Sequence, residues 1–158
     1  ASRREPRLMV SAFGGGGALG TTGRADPDRC PCRSGETTAY AVCCRPLLLG
    51  ESRAETAEAL MRSRYTAYAV GDLAHVQRTW DPRTLPAGLE LDPQLRWKGL
   101  TVLSTVDGGP MASDGVVAFE ARWESGRGES LQRGVLRETS AFTRRAGRWV
   151  YVGPTDDG

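Results

Sequence analysis

Four cysteines fall within fifteen positions, as Cys30-Pro31-Cys32 and Cys43-Cys44. Thiolates are soft ligands, and two pairs at the ends of a short loop can supply a tetrahedron around one zinc ion, at about 2.3 Å from each sulfur. The dication favours the thiolate and so lowers the thiol pKa values. For so short a segment the gain is on the order of 10 kcal/mol. Residues 30–51 hold too few apolar side chains to become ordered otherwise. Two disulfides would consume the same residues, but adjacent Cys43 and Cys44 make strained pairings. A redox-active thiol pair has two intervening residues, whereas Cys30 and Cys32 have one. Simple burial of Cys43 and Cys44 in a core is the blander reading. Side chains on adjacent residues diverge, so the Cys43-Cys44 backbone must turn at the metal. Four protein ligands leave no open position for water, so the ion expected at Cys30, Cys32, Cys43 and Cys44 is structural Zn2+.

No nucleophilic constellation can be assembled beside it. The thiols are committed, and His75 is the only histidine. It falls beside Leu73 and Val76 but off the stripe that holds Trp80, where a surface or half-buried position is expected. Asp81 and Glu138 are the carboxylates best placed for acid–base work. Asp81 precedes Pro82, the setting of a turn residue. Glu138 shares a strand face with Leu136 and Phe142, and an inward charge there calls for a partner such as Arg64 or Arg122. Arg64, Trp80, Asp81, Arg122 and Glu138 therefore form a candidate pocket, weighed against ordinary core packing of the tryptophans and a structural ion pair. Gly14 to Gly17 precede no strand–helix unit and no lysine, which argues against a phosphate-cradling loop.

The elements that must position these residues follow from periodicity. Residues 1–29, with four consecutive glycines and several arginines, read as a disordered tail. A faint match to a twin-arginine export signal is interrupted at Pro6 and Arg7. Thr56 is a suitable N-cap for a helix whose apolar face carries Ala57, Met61, Tyr65, Tyr68 and Ala69, and Gly71 is placed to stop it. Asp72 caps a second helix, with Leu73, Val76 and Trp80 along its stripe until Pro82. Residues 82–95 read as a loop. The period then changes to two. Leu100, Val102 and Val106 lie in one strand, and Val117, Phe119, Ala121 and Trp123 line the next. Leu136 and Phe142 belong to a third, and Ala146-Gly147 turns into Arg148-Trp149-Val150-Tyr151-Val152. Helices followed by strands joined by short turns predict an α+β fold, helices packed on an antiparallel meander.

The chain of 158 residues carries a formal charge of +2, from 21 basic and 19 acidic side chains. Four thiolates and one dication bring that sum to zero, which makes nucleic acid an unlikely partner because its non-specific affinity comes from neutralising phosphates. No run approaches the roughly 18 apolar residues of a membrane span, so no membrane partner is expected.

Cys30-Pro31-Cys32-Arg33-Ser34-Gly35, followed by Tyr40-Ala41-Val42-Cys43-Cys44, resembles the SEC-C zinc motif, also found at the tail of the preprotein-translocase motor ATPase. Leu60 to Tyr68, Thr79 to Pro82, Trp97 to Leu100, Ala121 to Trp123 and Gly147 to Tyr151 resemble the YchJ family, in matching order across residues 30–154. The resemblance implies a SEC-C-like knuckle at 30–51 on a domain at 52–158 similar to nuclear transport factor 2, a curved sheet wrapped by helices. The family pattern has glycine at the position of Arg33 and about two fewer residues between Gly35 and Tyr40, so a larger loop is expected here. Many relatives carry histidine where this chain has Asp81. No reaction comes with the resemblance. It implies a cytoplasmic accessory protein whose knuckle contacts a protein partner; the alternative is a small-molecule or enzymatic pocket in the α+β domain.

Overall fold

Thr56 and Gly71 set the limits of the longest helix. In the computed structural model, which describes residues 28–33 and 36–155, the Thr56 hydroxyl accepts from the Ala59 amide at 3.0 Å. Gly71 stands at φ 82°, a left-handed conformation that glycine adopts without penalty, and the helix ends there. Of the disordered tail expected at residues 1–29, residues 1–27, with the export-signal match, lie outside the described residues, whereas Arg29 is bridged to Ala39 and Asp28 accepts from the Tyr40 amide.

Among the described residues three α-helices precede the sheet: a single turn α1 (Arg45–Leu48), the long α2 (Ala57–Val70) and the short α3 (Leu73–Arg78). Asp72 caps α3 by accepting from the His75 amide at 3.0 Å. This helix stops at Arg78 rather than continuing to Pro82. The Thr79 hydroxyl bonds back to the His75 carbonyl at 2.6 Å, and the chain then pairs with the last strand. There the Tyr151 amide donates to the Thr79 carbonyl and the Asp81 amide to the Tyr151 carbonyl, both at 2.8 Å. Trp80 therefore lies on an extended segment bridged to Tyr151, not on a helical stripe.

Strands β1 (Leu95–Asp107), β2 (Asp114–Ser125), β3 (Gln132–Arg145) and β4 (Arg148–Pro154) form one antiparallel sheet in that spatial order. β1 begins earlier than its alternation suggests, because a register shift between Trp97 and Gly99 breaks the period. Ala146 and Gly147 take φ of 49° and 78°, the positive pair that a two-residue hairpin needs.

One sheet face is apolar: Leu100, Val117, Phe119, Ala121, Leu136 and Phe142 are buried on it. Helix α2 lies across that face. Nine of its fourteen residues are buried, Ser63, Arg64 and Thr66 among them. A helix burying only one face would keep those polar residues in water. Here the second face is covered by α3 and by the cysteine segment. Cys30, Cys32, Cys44 and Leu48 accordingly belong to the same core as Leu60, Met61 and Phe119. The boundary drawn at residue 52 thus crosses a continuous core.

Candidate metal centre

The backbone around the cysteines turns twice. Asp28 to Tyr40 closes into a loop, with the Cys30 amide donating to the Thr38 carbonyl at 2.8 Å and the Tyr40 amide to the Asp28 carbonyl at 2.7 Å. Arg33 closes the first turn by donating its amide to the Cys30 carbonyl at 3.0 Å, and its guanidinium meets Glu36 at 3.7 Å. A short 3-10 turn, Tyr40–Val42, then delivers Cys43 and Cys44, and α1 starts with Pro46 in its first turn. Proline is tolerated there because the amide it lacks has no helical partner in any case.

The outcome is four unbonded sulfurs within 4.8 Å of one another. Cys32 Sγ lies 3.6 Å from the sulfurs of Cys30, Cys43 and Cys44, and Cys43 Sγ lies 3.9 Å from Cys44 Sγ. A tetrahedron with zinc–sulfur bonds of about 2.3 Å has edges of about 3.8 Å. The spacing fits a tetrathiolate metal site and is far wider than the roughly 2.05 Å of a disulfide. Cys30, Cys32 and Cys44 are buried, and Cys43 is half-exposed. Hydrogen bonds with Cys32 and Cys44 hold the Cys30 thiol well below its ordinary range. The same bond to Cys30 pushes Cys32 up to about 12, and Cys44 is also raised, chiefly by its bond to Cys30. A dication bound among thiols would favour their thiolate forms.

Helix α2 holds this cluster from behind. The Thr66 hydroxyl donates to Cys44 Sγ at 3.3 Å and lies 3.7 Å from Cys30 Sγ. Arg62 Nη1 donates to the Cys32 carbonyl at 2.7 Å while its Nε binds Glu58 at 3.0 Å. Neither contact was visible in the sequence, where Arg62 and Thr66 entered only within the Leu60 to Tyr68 segment. The i, i+4 spacing of Arg62 and Thr66 was the available signal.

His75 corrects the expectation of a surface or half-buried residue: only 3% of it is exposed. Arg78 Nη2 donates to its Nδ1 at 3.0 Å and also to the Leu48 carbonyl. With Nδ1 accepting, Nε2 carries the proton and donates to Ser63 Oγ at 2.9 Å, and Ser63 donates to the Leu60 carbonyl at 2.8 Å. This relay ties α1, α3 and α2 together. Burial, with Arg78 adding to it, lowers the His75 pKa to about 4. The unfolded chain, with a histidine pKa near 6.5, then binds more protons between those values, so stability is complete above about pH 6.5 and falls toward pH 4. The loss expected is on the order of 3 kcal/mol. Urea unfolding at pH 7 and pH 5 should capture about 2 kcal/mol of it, and a His75→Gln variant should show a flatter profile. Equal slopes in both proteins would contradict the buried neutral histidine.

The candidate pocket residues divide. Arg64 and Glu138 line one cavity between α2 and the sheet. Trp80 does not line it but stacks behind, its ring 5.0 Å from the Arg64 guanidinium, whose other neighbour is the Tyr151 ring at 4.5 Å. Asp81 lies elsewhere. Its fully buried carboxylate accepts from Arg83 Nη2 at 2.7 Å and from Arg145 Nη1 at 3.5 Å, a structural ion pair. Arg83 in particular lowers its pKa to about 2. Arg122 is exposed on the opposite sheet face, since its parity is that of Glu120, and it covers Gly99, where a side chain would meet the guanidinium.

With this geometry, similarity to known proteins can be placed. A family model described as the YchJ middle NTF2-like domain matches residues 56–154. A UPF0225 protein of Streptomyces coelicolor is 46% identical over 122 residues, covering 77% of this chain and 92% of its own. Another, from Corynebacterium efficiens, is 47% identical over 123 residues, covering 78% and 89%. A solved SEC-C motif containing protein from Rhodopseudomonas palustris superposes with TM-score 0.66 at 32% identity, over 80% of this chain and 97% of that one. A second, from Psychrobacter arcticus, gives TM-score 0.62 at 26% identity, over 81% and 82%.

Proposed function

The chain belongs to the YchJ family of UPF0225 proteins, and on that footing we propose that it is a zinc protein with a structural ion, whose cysteine segment is a docking surface for another protein. The observation that supports zinc is the near-equal spacing of four sulfurs, three of them buried, at the edge length of a tetrathiolate site. Four protein ligands exclude a reacting water, so the ion holds structure. The solved relatives that carry the SEC-C name support the same assignment.

The docking role rests on two side chains that the metal cluster leaves outside. Val42 is 77% exposed and Leu49 57%, one on each side of Cys43-Cys44 and α1. Large apolar residues presented on a rigid, metal-ordered turn are the kind of anchor that protein interfaces use. The near-zero formal charge of the zinc form favours a protein over nucleic acid as partner. No helix of the described residues is long and apolar enough to cross a membrane. Four unpaired thiols persist in a reducing compartment, which supports a cytoplasmic location for this reading.

Two measurements test it. Native mass spectrometry of the purified chain should show one zinc per chain, lost in denaturing solvent. Affinity isolation from the native host should then recover a partner with the wild type and at least tenfold less with Val42→Ser/Leu49→Ser, which leaves the sulfurs in place. Equal recovery with both proteins would remove the docking role while leaving the metal assignment standing.

A further inference from the structure

Four thiolates around one dication carry more negative charge than the ion cancels. At Cys30, Cys32 and Cys44 that excess falls on buried sulfurs, away from water. Buried charge is tolerated where hydrogen-bond donors face it and is costly where they do not. The protein around the sulfurs must therefore supply donors.

Helix α2 supplies one. Thr66 is fully buried, and its hydroxyl stands between the two cysteine pairs, donating to Cys44 Sγ at 3.3 Å and lying 3.7 Å from Cys30 Sγ. Threonine inside a helix commonly turns its hydroxyl to solvent or to the carbonyl one turn before. Thr66 turns it onto the sulfurs. One turn earlier, Arg62 Nη1 donates to the Cys32 carbonyl at 2.7 Å, and its Nε is braced by Glu58 Oε2 at 3.0 Å. Glu58, Arg62 and Thr66 follow one another at four-residue spacing, so one stripe of α2 faces the cysteine loop. Arg62 fixes the backbone of that loop, and Thr66 meets its sulfurs. Ser63, also buried on α2, is engaged elsewhere, with His75 at 2.9 Å and the Leu60 carbonyl at 2.8 Å.

We propose that Thr66 is a positioning residue of the metal centre, its hydroxyl strengthening ion binding by taking up negative charge from one sulfur of each cysteine pair. Given the zinc reading on which this rests, part of the ion's affinity resides in α2, outside the cysteine segment. Groups that hydrogen-bond metal ligands in this way contribute about 10–100-fold to affinity.

The test uses the full chain loaded with zinc or with cobalt(II). Competition with a chromogenic chelator should show Thr66→Val, which fills the same space, holding zinc about 10–100-fold more weakly than the wild type. Thr66→Ser keeps the hydroxyl and should stay within about threefold of the wild type. The sulfur-to-cobalt charge-transfer absorption gives a readout that packing alone does not move. A hydrogen bond lowers the energy of the sulfur lone pair, so Thr66→Val should shift the band to longer wavelength and Thr66→Ser should restore it. If Thr66→Val does not fold, the wild type decides: with cadmium-113 in place of zinc, the Thr66 hydroxyl proton should show scalar coupling to the metal through the sulfur. Absence of that coupling would overturn the proposal. So would an affinity loss in Thr66→Val without a band shift, which would reduce Thr66 to packing. Unchanged affinity in Thr66→Val, beside a wild type that binds one ion, would overturn the role of Thr66 and leave the zinc reading standing. A wild type that binds neither ion would remove both.

Discussion

Removing the metal should destabilise the whole domain, not the cysteine segment alone. Excess chelator, or Cys32→Ser, is expected to lower the melting temperature by about 10 °C in a single transition. Structural zinc is worth on the order of 10 kcal/mol to the segment that holds it. That segment shares its core with the sheet domain through Cys30, Cys32, Cys44 and Leu48. Undocking it would uncover Leu48 and the Thr66 side of α2, a loss on the order of 3 kcal/mol from apolar exposure alone. The hydrogen bonds from Arg62 to the Cys32 carbonyl and from Thr66 to Cys44 Sγ would go with it. Calorimetry with a colorimetric zinc-release assay measures both quantities on one sample. Hydrogen exchange then locates the effect. Exchange that rises only in residues 28–51, with α2 and the melting temperature unchanged, would show that the ion orders a separate appendage.

Replacement of Arg64 by methionine should cost about 3–5 kcal/mol, a large single-residue effect for a domain of this size. The guanidinium is buried between Trp80 and Tyr151. Burial pushes its pKa down, opposed by the nearby Tyr68, Tyr151 and Glu138. Methionine preserves much of the stem's packing but removes the donors to the Val76 carbonyl and the Thr79 hydroxyl. It also leaves Glu138 without the opposing charge. Urea unfolding of Arg64→Met, Glu138→Gln and the double variant separates these contributions. The double variant should be more stable than the sum of the single losses predicts, because each single change already removes the attraction between the two opposite charges. A cost below about 1 kcal/mol for Arg64→Met would contradict a structural role for the buried cation.

Much of this architecture follows from features that are local in the chain. Thr56, Gly71 and Asp72 mark helix limits because a cap acts within one turn of itself. The inward direction of Glu138 follows from its even spacing with Leu136 and Phe142, since a strand alternates its side chains between two faces. The cysteine cluster is legible for the same reason, as pairs close enough in sequence for one loop to gather them.

Other features depended on contacts between distant segments. His75 was misplaced because α3 is only one and a half turns long, too short for a stripe to say which side faces inward. Its burial comes from Arg78 and Ser63, and from α1 beyond them. Asp81 was grouped with Glu138 as a candidate pocket carboxylate. The pairing of Trp80 with Tyr151 turns that segment so that Asp81 instead meets Arg145, 64 residues away. Arg122 and Glu138 were offered as partners, yet strand parity puts them on opposite faces of the sheet.

Sequence by itself determined the α+β order, the capped helices, the facing of the strands and the gathering of the four cysteines, because each depends on residues a few positions apart. Only the tertiary structure decided that the cysteine segment docks on α2, that the lone histidine is interior, and which charges share a cavity. Those outcomes depend on which surfaces exclude water together, and neither residue type nor spacing encodes the distance between surfaces that the chain brings together from afar.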